Sequence, residues 1–587
     1  MFIVKRSGKR ERFDRGKIIL ALNKANESVQ DDEKISKIII NNIVEKVEKV
    51  AEEKDRMLTV DDIQDTIEKY LITINKYTLA KSYIKHRYTK ELARDKYQMM
   101  MDAVGKKLSC KNIVNQNANI DEKSFGGRIG ETSDLIMKQY ALDYCVSQKT
   151  KENHLNNEIY IHDLSAYSVG NHNCLSIPFD HLLANGFNTR QVDIRPANSL
   201  NTAMQLVAVI FQLQSLQQFG GVSATHLDHT LVPYVRKSFF KHFKSGLRYI
   251  KRYSEDKIDK YISKNKLDCD TSIDDDKYTR IKNVYNYAME SMEKESYQAA
   301  EALFHNLNSL QSRSGNQLPF TSVNLGTCTL PEGRMVTKHI LEVCRKGLGK
   351  FHKTSIFPCV IFQCMKGVNR EDGEHNYDLF KLALQCTSER LYPNYCNIGW
   401  SGNKGYDIND PKTYFSTMGC RTANGWDINA EPGVNPQTKD GRGNIAPTTL
   451  ILPVLAMESN RNVEKFMSLL EKKLEEAKDS LIDRFEWICS QPMESARFMY
   501  ENGVMIGYKP EEGIRSALKH GTLAIGLLGL AETLQLLIGC NHTKPEGMKL
   551  AKRICQLYKD KCNEFKNKYK LNFGVYYTPK NIGLGVA

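Results

Sequence analysis

Apolar residues recur every three to four positions early in the chain. Ile35, Ile39, Ile43, Val47 and Val50 fall on one face of a helix predicted over residues 33–52. Before it, the short runs Phe2–Lys5 and Arg10–Phe13 flank Ser7-Gly8, a turn signal, and a helix is predicted from about Lys17. Thr59 is placed to cap a helix over residues 60–72, with Asp61 and Asp62 in its first turn. A further helix is predicted over residues 76–101. Together these make a small, mostly helical unit over residues 1–95, headed by a hairpin.

Residues 96–125 are polar with few periodic signals and read as a linker. From residue 126 to 587, helical patterns alternate with short apolar runs such as SIFPCVIFQ (355–363) and TTLILPVLAM (448–457). That alternation predicts an α/β fold. The apolar stretch 523–539 is interrupted by Glu532, Thr533 and Gln535, so it reads as a buried core helix and not as a membrane span.

Composition narrows this picture. At 587 residues the chain exceeds one ordinary domain, and its 41% hydrophobic content excludes general disorder. The net charge of +14 (83 basic less 69 acidic residues) favours polyanionic partners, nucleotides among them. The run KSFFKHFKSGLRYIKRY (237–253) is basic with interleaved aromatics, and reads as a solvated helix face with its rings turned inward, not as a nucleic-acid surface. The 15 cysteines are scattered, none in CxxC spacing, and the start MFIVKRSGKRERF has no apolar leader. This points to a reducing cytoplasm, without disulfides or a metal site.

The first 92 residues resemble the ATP-cone, a regulatory nucleotide-binding module. The resemblance rests on VKRSGKRERFDRGKIILALNKA, VDDIQDTIEKYL and YTLAKSYIKHR. It implies that Lys5, Arg6, Glu11, Asp14 and Lys17 bind nucleotide and that ATP and dATP are allosteric effectors. The chemistry agrees, since basic side chains at a hairpin and a helix start suit a triphosphate. No Walker A motif is present, so hydrolysis here is not implied.

The remainder resembles the large subunit of anaerobic, glycyl-radical ribonucleoside-triphosphate reductases. HNCLSIPFD (172–180), RPANSLNTAMQL (195–206), QFGGVSATHLD (218–228), NLNSLQSRSGNQLPFTSVNLGT (306–327), MGCR (418–421), HGTLAIGLLGLAE (520–532) and NFGVYYTP (572–579) carry the likeness. The implied fold is a ten-stranded α/β barrel with a central finger loop. Hydroxide is a poor leaving group from an unactivated carbon, so removing the ribose 2′ hydroxyl calls for radical chemistry. By resemblance Cys420 is the thiyl-radical residue, Cys174 the second active-site thiol and Asn444 a substrate-binding amide of the formate-using branch. Cys420 lies in a polar loop between Gly419 and Arg421, where packing explains a thiol poorly. Cys174 and Asn444 would read as core and loop residues on their own. SRSGNQ (312–317) reads either as a plain loop or as a substrate-side turn.

The family also implies ribonucleoside-triphosphate substrates, a homodimer, and an iron–sulfur activase using S-adenosylmethionine. Its closing zinc cysteines and radical glycine have no counterpart among residues 578–587, which end IGLGVA. The expectation is a truncated or split-gene reductase whose radical segment is supplied separately. The alternatives are a catalytically incompetent nucleotide-binding chain, or another glycyl-radical enzyme such as an acyl lyase. A lyase finger loop carries adjacent cysteines, which Cys420 lacks.

Overall fold

The structure, a computed structural model, describes residues 2–5, 10–54, 56–109, 123–313, 316–419 and 422–577. The chain divides into two units, residues 1–111 and 112–587.

In the first unit, β1 (Phe2–Val4) pairs antiparallel with β2 (Arg10–Arg12). Four helices follow: α1 (Arg15–Glu27), α2 (Lys37–Glu53), α3 (Val60–Thr73) and α4 (Tyr77–Ser109). Ile40, Ile43, Val44 and Val47 of α2 are buried against Leu22 of α1 and Ile67 and Leu71 of α3. Each such aliphatic side chain contributes about 1.5–3 kcal/mol on burial. The start of α3 is fixed by a reciprocal capping box: the Thr59 hydroxyl accepts from the Asp62 N–H, and the Asp62 carboxylate accepts from the Thr59 N–H.

Of the linker expected at 96–125, residues 110–122 lie outside the described residues. Residues 96–109 continue α4, and the next helix, α5, begins at Phe125 (Phe125–Tyr140). Polar composition alone does not end a helix, and residues 96–109 carry no proline and a single glycine.

The second unit is built on two sheets. One holds, in order, β10 (Asn394–Asn397), β9 (Cys359–Cys364), β8 (Thr321–Leu325), β7 (Val222–Ala224) and β4 (Leu175–Ser176), all parallel. The other holds β13 (Asn572–Tyr577), β12 (Thr522–Leu528) and β11 (Asn444–Ile451) in parallel, with β3 (Ile159–Ile161) antiparallel at its edge. A two-stranded hairpin, β5 (Phe187–Asn188) and β6 (Asp193–Ile194), stands apart. Central strands such as TSVNL and NIAPTTLI are buried throughout, as strands covered on both faces must be.

The two sheets meet where Leu175 bridges antiparallel to Gly443. The alternation of helices and parallel strands gives the mixed α/β architecture that the apolar runs predict. The stretch 523–539 differs from its predicted single helix. It forms β12 and then a helix, Leu530–Ile538, with Gly529 at φ +76° between them. A run this apolar does not distinguish a buried strand from a buried helix, and the glycine supplies the turn.

Beyond the C-terminal ends of β4 and β7 lies a buried ionic cluster. His226 Nε2 is 3.2 Å from Asp180 Oδ2, and its Nδ1 is 2.6 Å from Thr225 Oγ1. The Thr225 hydroxyl donates to Asp440, so its oxygen accepts from Nδ1, while a carboxylate can only accept from Nε2. Both ring nitrogens therefore carry protons. Burial alone would lower this pKa, but Asp440 and Asp180 hold it up at about 9. The charged ring stabilises the fold fully below its unfolded value near 6.5 and ceases to do so as pH rises through about 9. The denaturation midpoint should fall between these pH values, and His226→Gln should flatten that fall. Equal slopes in the two proteins would mean that His226 does not carry the linkage.

Candidate functional site

An extended loop, residues 415–419, runs along the first sheet and is anchored by side chains of its strands. Gln363 Nε2 donates to the Phe415 carbonyl at 3.1 Å. Asn324 takes both groups of Thr417, donating to its carbonyl at 3.1 Å and accepting from its N–H at 3.1 Å. Ser223 Oγ donates to the same carbonyl, and Ser322 Oγ accepts from the Gly419 N–H, each at 3.1 Å. Asn324 is in register with Ile361, so Gln363, Asn324 and Ser322 stand at successive levels two residues apart. The loop thus descends at strand pitch, antiparallel to the strands, with residues 415, 417 and 419 each tied to one level.

Gln363, Asn324, Ser322 and Ser223 are completely buried. Sequence reasoning missed them. The signal was present as polar residues at alternate positions in otherwise apolar runs, Ser322 and Asn324 in TSVNL and Gln363 in CVIFQC.

The descent ends in a tight turn, in which the Met418 N–H donates to the Thr422 carbonyl at 2.7 Å. Cys420 and Arg421, between them, lie outside the described residues. The turn packs against β7: a Cβ on Gly221 would come within 3.4 Å of Gly419 Cα. The Gly221 N–H in turn points at Cys174 Sγ, 3.3 Å away.

Cys174 is 6% exposed at the start of β4. Leu175 bridges Gly443, and the Asn173 N–H donates to the Ile445 carbonyl at 3.1 Å, a register that sets Cys174 opposite Asn444. The chains approach so closely that a Cβ on Gly443 would collide with the Cys174 carbonyl, and one on Gly220 with Asn173. Asn444 is 1% exposed, and its Oδ1 has no hydrogen-bond partner. A buried amide oxygen left unpaired costs about 1–3 kcal/mol, a penalty that a ligand donor would relieve.

The structure thus brings Cys174 and Asn444 together, with Gly419 against Gly221 beside Cys174. Arg313, from SRSGNQ, joins this neighbourhood. Its guanidinium donates to the Phe219 carbonyl, and it lines a cavity of about 430 Å³ with Gln218 and Lys138. Burial lowers its pKa, opposed by Asp163 and then Cys174.

In the first unit, Glu11 accepts from Lys17 at 2.6 Å and pairs with Lys5. Asp14 caps α1 by accepting from the Gly16 N–H at 2.8 Å, a structural task. Arg6 lies outside the described residues. Lys17 also lines a cavity of about 230 Å³ with Lys24, Gln64, Tyr83, His86 and Arg87. These five come from α1, α3 and α4, and only the folded bundle assembles them. Arg87 is held there by Asp65 at 2.7 Å and Glu68 at 2.9 Å.

Residues 116–581 match the family model of anaerobic ribonucleoside-triphosphate reductase, and residues 1–92 that of the ATP cone domain. Among curated relatives, the anaerobic ribonucleoside-triphosphate reductase of Haemophilus influenzae is 26% identical over 98% of this chain and 76% of its own. That of Salmonella typhimurium is 27% identical over 89% and 68%. The solved anaerobic ribonucleotide reductase of Thermotoga maritima, in complex with dATP and CTP, aligns with a TM-score of 0.53 at 16% identity. That alignment covers 84% of this chain and 75% of the other.

Asn324→Leu should orphan the Thr417 N–H and leave its carbonyl to Ser223 alone, at about 1–3 kcal/mol for the orphaned group. The melting temperature should fall, and limited proteolysis should cut residues 413–424 faster than in the parent. Unchanged cleavage would show that Asn324 does not hold the loop.

Proposed function

Since the chain belongs to the anaerobic ribonucleoside-triphosphate reductase family and carries an ATP cone domain, we propose how its residues divide the work of removing the 2′ hydroxyl. Cys420, which follows the anchored segment 415–419 in sequence, takes the 3′ hydrogen of the ribose as a thiyl radical. Cys174 then donates the proton with which the 2′ oxygen departs as water. Asn444 orients the substrate by hydrogen bonding. Formate supplies the reducing equivalents, so that ribonucleoside triphosphate, formate and a proton become deoxyribonucleoside triphosphate, carbon dioxide and water. A glycyl-radical segment, generated by an iron–sulfur activase, supplies the radical to Cys420.

The observation that carries this reading is the pairing of Cys174 with Asn444. A thiol and an unpartnered amide oxygen face each other across one backbone ladder, next to the turn 418–422. Both groups are buried, and the amide oxygen has no hydrogen-bond partner. The buried anchors support the assignment of Cys420, because abstraction requires a sulfur held within a fraction of an ångström of the hydrogen it takes.

Residues 1–95 form the regulatory module and residues 126–587 the catalytic barrel. The effector's triphosphate binds Lys5, Arg6 and Lys17, and its remaining part enters the cavity lined by Lys24, Tyr83 and His86. Glu11 serves this site by holding Lys5 and Lys17 in place. The functional assembly is a homodimer.

Reconstitution under anaerobic conditions with an activase and a glycyl-radical segment tests these roles. Cys420→Ser and Cys174→Ser should each abolish deoxyribonucleotide formation while ATP binding persists. Turnover in Cys420→Ser would remove that residue from the reaction. Labelled formate should appear as one carbon dioxide per deoxyribonucleotide, and support of turnover by a dithiol protein without formate would reject the reductant. Deleting residues 1–95 should spare turnover and abolish its inhibition by dATP. Inhibition that survives the deletion would move the effector site elsewhere.

A further inference from the structure

Cys174 stands just outside the regular part of its sheet. The registered pairs of β4 with β7 begin at Leu175 and Val222, so Cys174 and Gly221 lie one step before them. Residues 219 and 220 bend there, and their N–H groups donate in succession to the His172 and Asn173 carbonyls, at 3.0 and 3.1 Å. A parallel ladder would use alternate groups. Strand pairing alone therefore does not set where the Gly221 N–H points.

A buried amide spans the two chains at this place. Gln218, 3% exposed, donates from Nε2 to the Asn173 carbonyl at 3.0 Å and to the Gly221 carbonyl at 2.8 Å. Its third contact, to the Gly220 carbonyl at 3.4 Å, falls on the same planar peptide unit as the Gly221 N–H. Its Oε1 accepts from Gln214 Nε2 at 2.8 Å, and Gln214 is completely buried on the helix Leu200–Ser215. With three carbonyls on one side and a donor on the other, the amide has a single orientation.

The two nearer carbonyls do not need Gln218 to be satisfied. Asn173 also accepts from the Gly220 N–H at 3.1 Å, and Gly221 from the Leu175 N–H at 3.0 Å. The second bonds fix position. What they position is the thiol: the Gly221 N–H donates to Cys174 Sγ at 3.3 Å, and the thiol donates to Asn173 Oδ1 at 3.4 Å. A hydrogen bond from N–H to sulfur strengthens as the sulfur gains negative charge.

We propose that Gln218 is a positioning residue for proton transfer from Cys174, holding the Gly221 N–H on the sulfur that becomes a thiolate. This rests on the role proposed above for Cys174. In the step, the S–H bond breaks, its proton joins the 2′ oxygen that leaves as water, and both electrons stay on sulfur. The thiolate regains a proton from the one consumed in each turnover. Gln218 touches neither substrate nor sulfur and acts through the backbone of residues 220–221.

The test compares the reconstituted reductase with Gln218→Met, which keeps side-chain length and removes the donor. Hydrogen exchange at the Gly221 amide should quicken about tenfold or more. The kcat should fall about tenfold or more while KM stays within about twofold of the parent. The solvent deuterium isotope effect on kcat should rise, because the thiol proton transfer becomes the slow step. Gln214→Met, which leaves the Gln218 donor in place and frees only its Oε1, should show the same changes at smaller size, and it carries the comparison should Gln218→Met not fold. Unchanged exchange at Gly221 overturns the proposal. So does faster exchange with parental kcat and isotope effect, which would leave Gln218 a structural role only, or a loss confined to KM, which would place it in substrate binding. Turnover retained in Cys174→Ser would instead remove the role of Cys174, whatever the exchange at Gly221 shows.

Discussion

A chain segment that runs through a dry interior must have its backbone polar groups paired from outside itself. Residues 415–419 form neither a helix nor a ladder with a neighbouring strand, so their N–H and C=O groups depend on side chains. The first sheet provides them from inward-facing positions at the pitch of the strands. An apolar residue at Asn324 would orphan the Thr417 N–H and leave its carbonyl to Ser223 alone. The polar residues inside these strands are the condition for the loop to lie where it does. They also fix the loop in one register, because each level of the sheet serves one alternate residue.

The same economy governs the approach of the two half-barrels. Where β4 passes the segment 441–445, glycines at 220 and 443 let the backbones come closer than any side chain would permit. This junction joins the two sheets and, through its register, sets Cys174 against Asn444. The pairing of the two groups is therefore a consequence of how the sheets join. A one-residue slip would turn one of the pair to the opposite face and separate them.

What the sequence revealed and what it hid divide along the same line. Local rules were legible. Thr59 and Asp62 announce the start of α3, and the repeat from Ile35 to Val50 announces the buried face of α2, because a cap and a stripe depend on neighbours in sequence. Cys174 and Asn444 became visible only through resemblance, since 270 positions separate them and neither has a local signature. The strand–helix break inside 523–539 was hidden because full burial removes the alternation that distinguishes the two. Within the linker expected at 96–125, residues 96–109 are helical, because a helix without a strong apolar stripe still propagates when nothing breaks it. Lys24, His86 and Arg87 were invisible as a group, because only the packing of α1 on α4 makes them neighbours.

The two units present opposite solutions to holding a charged or polar ligand. At the hairpin, Lys5, Glu11 and Lys17 form ion pairs in which both lysines are largely exposed. Such pairs contribute about 0–1 kcal/mol, so they do not hold the fold and can be rearranged around an incoming triphosphate at little cost. That suits an effector which must bind and leave as its concentration changes. In the barrel the polar groups are buried, and the Asn444 oxygen remains unpaired. Such a group costs stability continuously and returns it only when a donor arrives in the right place. An exchangeable site reads concentration, whereas a preorganised one holds geometry. On the proposed roles, sensing nucleotides and positioning one for hydrogen abstraction call for both.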